Sequence, residues 1–240
     1  MEEEMAEASP VSLPGERRVL ERIYARCGGS ILEAGALSRV PSEFLGALTA
    51  NESAGAPGAA RFEPAVFRHL QAVAAGQCAA YGSIRAADID REVEEALDAD
   101  DRPGEQPQAR SRADEFHARF LTAGFCENNR PAIAAFEDDH LRQLATSWGC
   151  TQIMGYHMIG RPGTVKDLLS LSFHYRLAVD LLAQFAADYS LDPGVECEEL
   201  FRCWNTGRPY GKTYDPGYVE NGMRRMRLYR EIAQQPLRAT

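Results

Sequence analysis

The 240-residue chain lacks any run of about 18 apolar residues, so no segment reads as a membrane-spanning helix. It also lacks a Cys-x-x-Cys pair or zinc-type cysteine spacing. Cys27, Cys78, Cys126, Cys150, Cys197 and Cys203 are scattered along a chain long enough to bury a core without staples, which predicts free, buried thiols. Positive charge is in deficit: 26 Lys and Arg stand against 35 Asp and Glu, a net charge of -9. Such a chain has little with which to replace phosphate counterions, so nucleic acid is not an expected partner. The opening Met-Glu-Glu-Glu-Met is the reverse of a signal peptide's basic start, and no apolar stretch follows it. The expectation is a protein that is cytoplasmic as synthesised and reaches any site outside the membrane by another route, with a delivery partner that the sequence does not name. Repeats are missing too, and hardly any clean period-two strand occurs.

What is present is helical periodicity. Glu16 to Cys27 carries Val19, Leu20, Ile23 and Tyr24 on one face, and Gly28-Gly29 predicts its stop; Ser30 to Val40 reads as a second, shorter helix. Pro41-Ser42-Glu43 opens a third, with Ser42 as N-cap, Phe44, Leu45 and Leu48 as its stripe and Gly55 as its end. Ala54 to Ala60 reads as a loop, and Pro64 starts a helix whose face is Val66, Phe67, Leu70 and Val73. Asp88 to Arg110 reads as a short acidic helix running into an exposed connection. Helices are expected over Ser111 to Gly124, Pro131 to Ala145, Glu196 to Asn205 and Tyr218 to Ala233, and two packed core helices broken near Ser172 over Val165 to Tyr189. The expected class is mainly α with at most a small β element. Residues 1–40 read as a helical extension with an acidic tail, and 41–234 as the main domain, with an acidic helical insertion near 60–145. Basic residues gather in Arg208 to Thr240, so an anionic ligand is expected on the C-terminal face.

Three elements carry candidate chemistry. Phe44, Leu48 and Glu52 are four apart and share one helix face, which sets a carboxylate on an apolar stripe in the last turn, where burial and the helix dipole both oppose ionisation. A carboxyl kept neutral near pH 7 serves as a general acid; the same spacing also suits a solvated helix-end residue. Ser147-Trp148-Gly149-Cys150-Thr151-Gln152-Ile153-Met154-Gly155 brings an amide, which both donates and accepts, beside apolar neighbours, or else forms an ordinary turn before a helix. Cys203-Trp204-Asn205-Thr206-Gly207 and Tyr214-Asp215-Pro216-Gly217-Tyr218-Val219 combine rings with amides and hydroxyls, as saccharide sites do, although single aromatics at such places are usually core anchors.

In order and type these elements resemble the lysozyme-like superfamily: soluble lytic transglycosylases, goose-type lysozymes and, most of all, phage-type N-acetylmuramidase domains, with their Ser-Trp-Gly-x-x-Gln-Ile-Met-Gly segment and Glu-Ser acid. The resemblance spans Pro41 to Ile232. It implies an α+β lysozyme-like fold that cleaves the β-1,4 bond after N-acetylmuramic acid in peptidoglycan glycan strands. It further implies Glu52 as catalytic acid, Gln152 and Tyr218 lining the glycan cleft with Ser147 and Trp204, and Asn205 with Gly207 as a supporting turn. Trp204 stands where transglycosylases have Tyr, Cys150-Thr151 replaces a Leu-Met pair, and the stretch between Glu52 and Gly149 is long for the fold.

Hydrolysis and intramolecular transfer differ in what attacks the anomeric carbon. Inversion needs a second carboxylate about 6.5–9.5 Å away, retention one about 5–5.5 Å away, and lytic transglycosylation none. Glu63 is the first candidate, since Phe62-Glu63-Pro64-Ala65-Val66-Phe67 also looks like the muramidase pattern; Asp215 is the second. No cofactor and no metal are expected, because Asp138-Asp139-His140 point in different directions on a helix. A Cys150 nucleophile with His157 or His174 ranks below the glycan reading, and a glycan-binding protein without catalysis is the alternative of another class.

Overall fold

The computed structural model describes residues 13–83 and 115–235. Among the described residues it is mainly helical with one small sheet, as expected. None of these helices is long and apolar enough to cross a membrane. The Asp88 to Arg110 segment, the acidic tail and residues 111–114 lie outside the described residues.

Helix α1 spans Leu13–Ala36 and runs through Gly28 and Gly29, where the sequence predicts a stop and a second helix. Leu20, Ile23, Cys27, Ile31 and Ala34 are all buried at spacings of three and four, so the apolar stripe stays in phase across the glycines. Its burial outweighs the roughly 1 kcal/mol that each interior glycine costs. These residues also belong to the same core as the rest of the molecule, so residues 13–36 are an integral layer and not an appendage.

Helix α2, Ser42–Ser53, is the hub. Every residue from Phe44 to Ala50 is buried, which marks a helix covered on all sides. Pro41, not Ser42, is its N-cap, with extended backbone (ψ 139°), and the Pro41 carbonyl accepts from Phe44 N at 3.0 Å. Strand β1 (Ala60–Phe62) leads into α3 (Pro64–Ala74), which has Pro64 in its first turn. Phe62 and Phe67 meet edge-on at 5.7 Å, the apolar clasp expected between the residue before an N-cap and the fourth helical residue. Residues 115–120 are helical, and the chain then bends into α4 (Ala123–Ala134) and α5 (Asp138–Leu144). Pro131 lies inside α4 and does not open a helix; Thr122 caps α4 through Phe125 N at 3.1 Å.

The segment after α5, expected as a turn, is strand β2 (Thr146–Trp148), which pairs antiparallel with both β1 and β3 (Ile153–Met154) in the order β1-β2-β3. The registers Arg61 opposite Ser147 and Ser147 opposite Met154 tie two distant parts of the sequence together. A 3-10 turn over Val165–Leu169 precedes α6 (Leu171–Tyr189), so the expected break falls at Ser170. Helices α7 (Cys197–Thr206) and α8 (Tyr218–Gln234) follow, with a loop between them.

Around α2, helices α1 and α8 pack directly. Phe44 stacks on Phe201 of α7 at 4.3 Å, and Thr49 Oγ1 bonds the Tyr175 hydroxyl of α6 at 2.8 Å. The α2–α8 contact depends on Gly46, where a Cβ atom would lie 2.4 Å from the Tyr229 ring. The thiols are free; all are buried except Cys78, which is partly exposed.

Gly46→Ala gains about 1 kcal/mol of helix propensity but forces an overpacking that costs about 1–3 kcal/mol, so a net loss of stability in urea unfolding is expected. Gly29→Ala, at an exposed helical position with nothing within 4 Å of its Cβ, is expected to gain about 0.5–1 kcal/mol in the same assay.

Candidate active site

Glu52 occupies the last turn of α2, where the helix emerges from its sheath. Ala54, at φ 51°, and Gly55, at φ 82°, turn the chain away immediately afterwards. Ser53 anchors the helix end by donating to the Cys150 carbonyl at 2.7 Å. The Glu52 side chain meets the start of α8 through Tyr218 and lies within reach of the Arg61 charge on β1. Burial pushes its pKa up to about 7, against the opposing pull of a hydrogen bond from Tyr218 and the positive charge of Arg61. The negative end of the α2 dipole acts in the same direction as burial.

Tyr218 comes from the first turn of α8 and is 8% exposed. Its hydroxyl donates to Glu52 Oε1 across 166 positions of sequence. Burial and the neighbouring carboxylate hold the phenol well above its ordinary pKa, so it remains a proton-bearing donor. Asn51, beside the acid, donates through Nδ2 to the Tyr218 carbonyl at 3.1 Å. The structure thus joins Glu52 and Tyr218, the two residues the sequence places farthest apart.

Ser147 and Gln152 meet on the β2–β3 hairpin. Ser147 Oγ donates to Gln152 Oε1 at 2.8 Å, and Gln152 Nε2 donates to the carbonyls of Gly149 at 2.9 Å and Ala59 at 3.4 Å. Where the sequence predicts contacts with a glycan, both amide hydrogens have internal partners, and a lone pair on Oε1 is what Gln152 still offers. The reason is the turn itself: Gly149 at φ 73° and Gln152 at φ 56° bring backbone carbonyls round to face the amide. Trp204 is likewise an anchor, 8% exposed, with Nε1 donating to the Thr151 carbonyl at 3.1 Å. Asn205 Oδ1 accepts from Tyr214 N at 3.3 Å, and Gly207 closes α7 in the left-handed region. The exposed rings beside this turn are Tyr210 and Tyr214.

Glu63 is the N-cap residue of α3, but its carboxylate turns to Arg61, whose Nε lies 2.8 Å from Oε1. Arg61, on β1, is thus paired with Glu63 while its charge also reaches Glu52. Asp215 is exposed and accepts from Gly217 N at 2.8 Å, shaping the entry to α8. Much of the positive charge of the basic C-terminal helix is paired: Arg224 and Arg225 bind the buried Glu16 and Arg230 binds Glu43, while Arg227 is exposed.

The Cys-His alternative has no geometry. His174 Nε2 accepts from Thr151 N at 3.0 Å and its Nδ1 donates to the Leu168 carbonyl at 2.9 Å, whereas the Cys150 sulfur lies 3.9 Å from that of Cys27. Asp138 accepts from Gln71, and His140 stacks on Phe136. Among the described residues no three His, Cys, Asp or Glu side chains converge. A groove of about 400 Å³ between the end of α1 and α6, lined by Leu37, Arg39, Val179 and Pro193, includes none of the candidate residues. The elements that sequence reasoning missed are Asn51, Arg61, Glu16 and Arg225. Asn51 shares the helix face of Phe44 and Leu48 but is a neutral amide with no titratable group to single it out, and Glu16 and Arg225 meet only through the docking of α1 on α8.

A carboxyl whose pKa is raised in the folded state binds its proton more tightly there than in the unfolded chain. Its stabilising contribution is full below the unfolded pKa of about 4.5 and is lost as pH rises toward 7. Glu52→Gln is therefore expected to raise the melting temperature at pH 8 relative to wild type, with little difference at pH 4, by calorimetry at both pH values.

No protein-family model, no curated protein and no solved structure matches this chain.

Proposed function

We propose that the protein is a peptidoglycan-cleaving glycosidase acting on the β-1,4 bond after N-acetylmuramic acid, with Glu52 as general acid. The observation that carries this reading is a carboxyl at the end of a buried helix, with its pKa pushed up to about 7 and a phenol from the far end of the chain resting on it. An acid poised near the working pH is half protonated and still a willing donor. When Glu52 gives its proton to the glycosidic oxygen, the Tyr218 hydroxyl is already placed to hold the carboxylate that forms. That contact is worth more in the ionised state than in the neutral one, which is the property that lowers a barrier.

Departure of the leaving sugar develops positive charge at the anomeric carbon. In hydrolysis a carboxylate activates water; in lytic transglycosylation the sugar's own 6-hydroxyl attacks and Glu52 takes back a proton. The second course is favoured because both candidate bases are engaged elsewhere, Glu63 with Arg61 and Asp215 with the Gly217 amide. A glycan-binding protein without cleavage is the competing reading. It draws on the internal engagement of Gln152 and Trp204, which leaves fewer polar groups for substrate chemistry.

Turbidity loss of a peptidoglycan suspension measures the reaction. Wild type is expected to lyse the suspension, with activity falling as pH rises through about 7 because the acid loses its proton. Glu52→Gln is expected to reduce the rate by about 100-fold or more. Equal lysis by the two proteins, or saccharide binding without any lysis, overturns the proposal. Mass analysis of the products assigns the course: 1,6-anhydro ends for transfer, reducing ends for hydrolysis.

A further inference from the structure

Glu16 lies in the first turn of α1, yet it is 2% exposed and held by two arginines of α8. Arg224 Nε and Nη2 reach its two oxygens at 2.9 Å, and Arg225 Nε reaches Oε1 at 2.8 Å. The arginines hold the Glu16 carboxyl below its ordinary pKa, so it is ionised at neutral pH. Arg225 then continues: its Nη1 donates to Asn51 Oδ1 at 2.6 Å, while the other end of the same amide, Nδ2, donates to the Tyr218 carbonyl at 3.1 Å. An amide bonded at both ends has one orientation. The chain Glu16–Arg225–Asn51–Tyr218–Glu52 is thus continuous, with each link a named hydrogen bond, and it joins α1, α8 and α2.

We propose that Glu16, Arg225 and Asn51 are positioning residues for the general acid: a relay that fixes the start of α8 against the end of α2, and thereby the Tyr218 hydroxyl on Glu52. The inference rests on the reading of Glu52 as the acid. Two further observations support it. Gly217, the N-cap residue of α8, supplies no side-chain cap, and the Asn51 amide holds the first helical residue through its carbonyl. A buried ion pair contributes little net stability over an apolar replacement, so fixing a geometry is the better-attested use of such a group. The charged and titratable groups acting on Glu52 are Tyr218 from α8 and Arg61 from β1, and those acting on Tyr218 are Glu52, Asn51 and Arg225.

The test is a carbon-13 NMR titration of the Glu52 carboxyl in the full chain, which needs no substrate. Tyr218→Phe removes a donor that favours the carboxylate, so the midpoint is expected to rise by roughly one pH unit. Asn51→Ala is expected to shift it in the same direction, and the double variant to shift it no further than Tyr218→Phe alone, because both act through one contact. An unmoved midpoint in Asn51→Ala, or shifts that add, overturns the relay. Glu16→Gln, which keeps its side chain's shape, and Arg225→Lys, which keeps the charge but loses the fork that spans Glu16 and Asn51, are read in the same way should Asn51→Ala fail to fold. Both are expected to shift the midpoint upward by less, and an unmoved midpoint in folded protein overturns the relay equally. A wild type that titrates as expected but lyses no peptidoglycan counts against the glycosidase reading alone.

Discussion

The molecule is organised around the burial of α2. A helix whose residues from Phe44 to Ala50 are all enclosed must be covered by something on every side, and α1, α6, α7 and α8 are what cover it. That enclosure explains why glycine is needed at Gly46, why Phe44 stacks on Phe201, and why Thr49 finds the Tyr175 hydroxyl. It also explains where chemistry is possible. A polar group in the middle of such a helix would be desolvated without relief, whereas at its last turn Glu52 is desolvated enough to be perturbed and still meets Tyr218 at the start of α8.

The electrostatics of that position are a balance. Burial and the helix dipole favour the neutral acid, while the Tyr218 hydroxyl and the Arg61 charge favour the carboxylate. Either side alone would move the group away from neutrality, toward a permanently protonated acid or an ordinary surface carboxylate. Together they leave it near pH 7, at a cost in stability above that pH which is common where a group is retained for chemistry rather than for folding.

The polar residues near the acid divide into two kinds. Ser147, Gln152 and Trp204 have partners inside the protein and build the frame: they hold the hairpin that Ser53 grips and join α7 to it. Glu52 keeps part of its surface, and Tyr210 and Tyr214 are exposed. In the same way Arg224, Arg225 and Arg230 of α8 are directed to Glu16 and Glu43, which ties most of the charge of that helix to the frame.

By itself the sequence determined the helical class, the burial of the apolar stripes, the free thiols and Glu52 at the end of an apolar helix face, because periodicity, proline placement and cysteine spacing are local properties. It misplaced the end of α1, since two glycines are a strong local signal but the stripe from Leu20 to Ala34 is a stronger global one. It allowed for a small β element without locating it, since strands of two or three residues carry no readable period and β1 finds β2 only after a long excursion. Only the tertiary structure decided that Tyr218, and not Gln152, hydrogen-bonds the acid, and that Arg225 links Glu16 to Asn51. Side-chain hydrogen bonds between distant elements depend on where whole helices dock, and no local pattern encodes that placement.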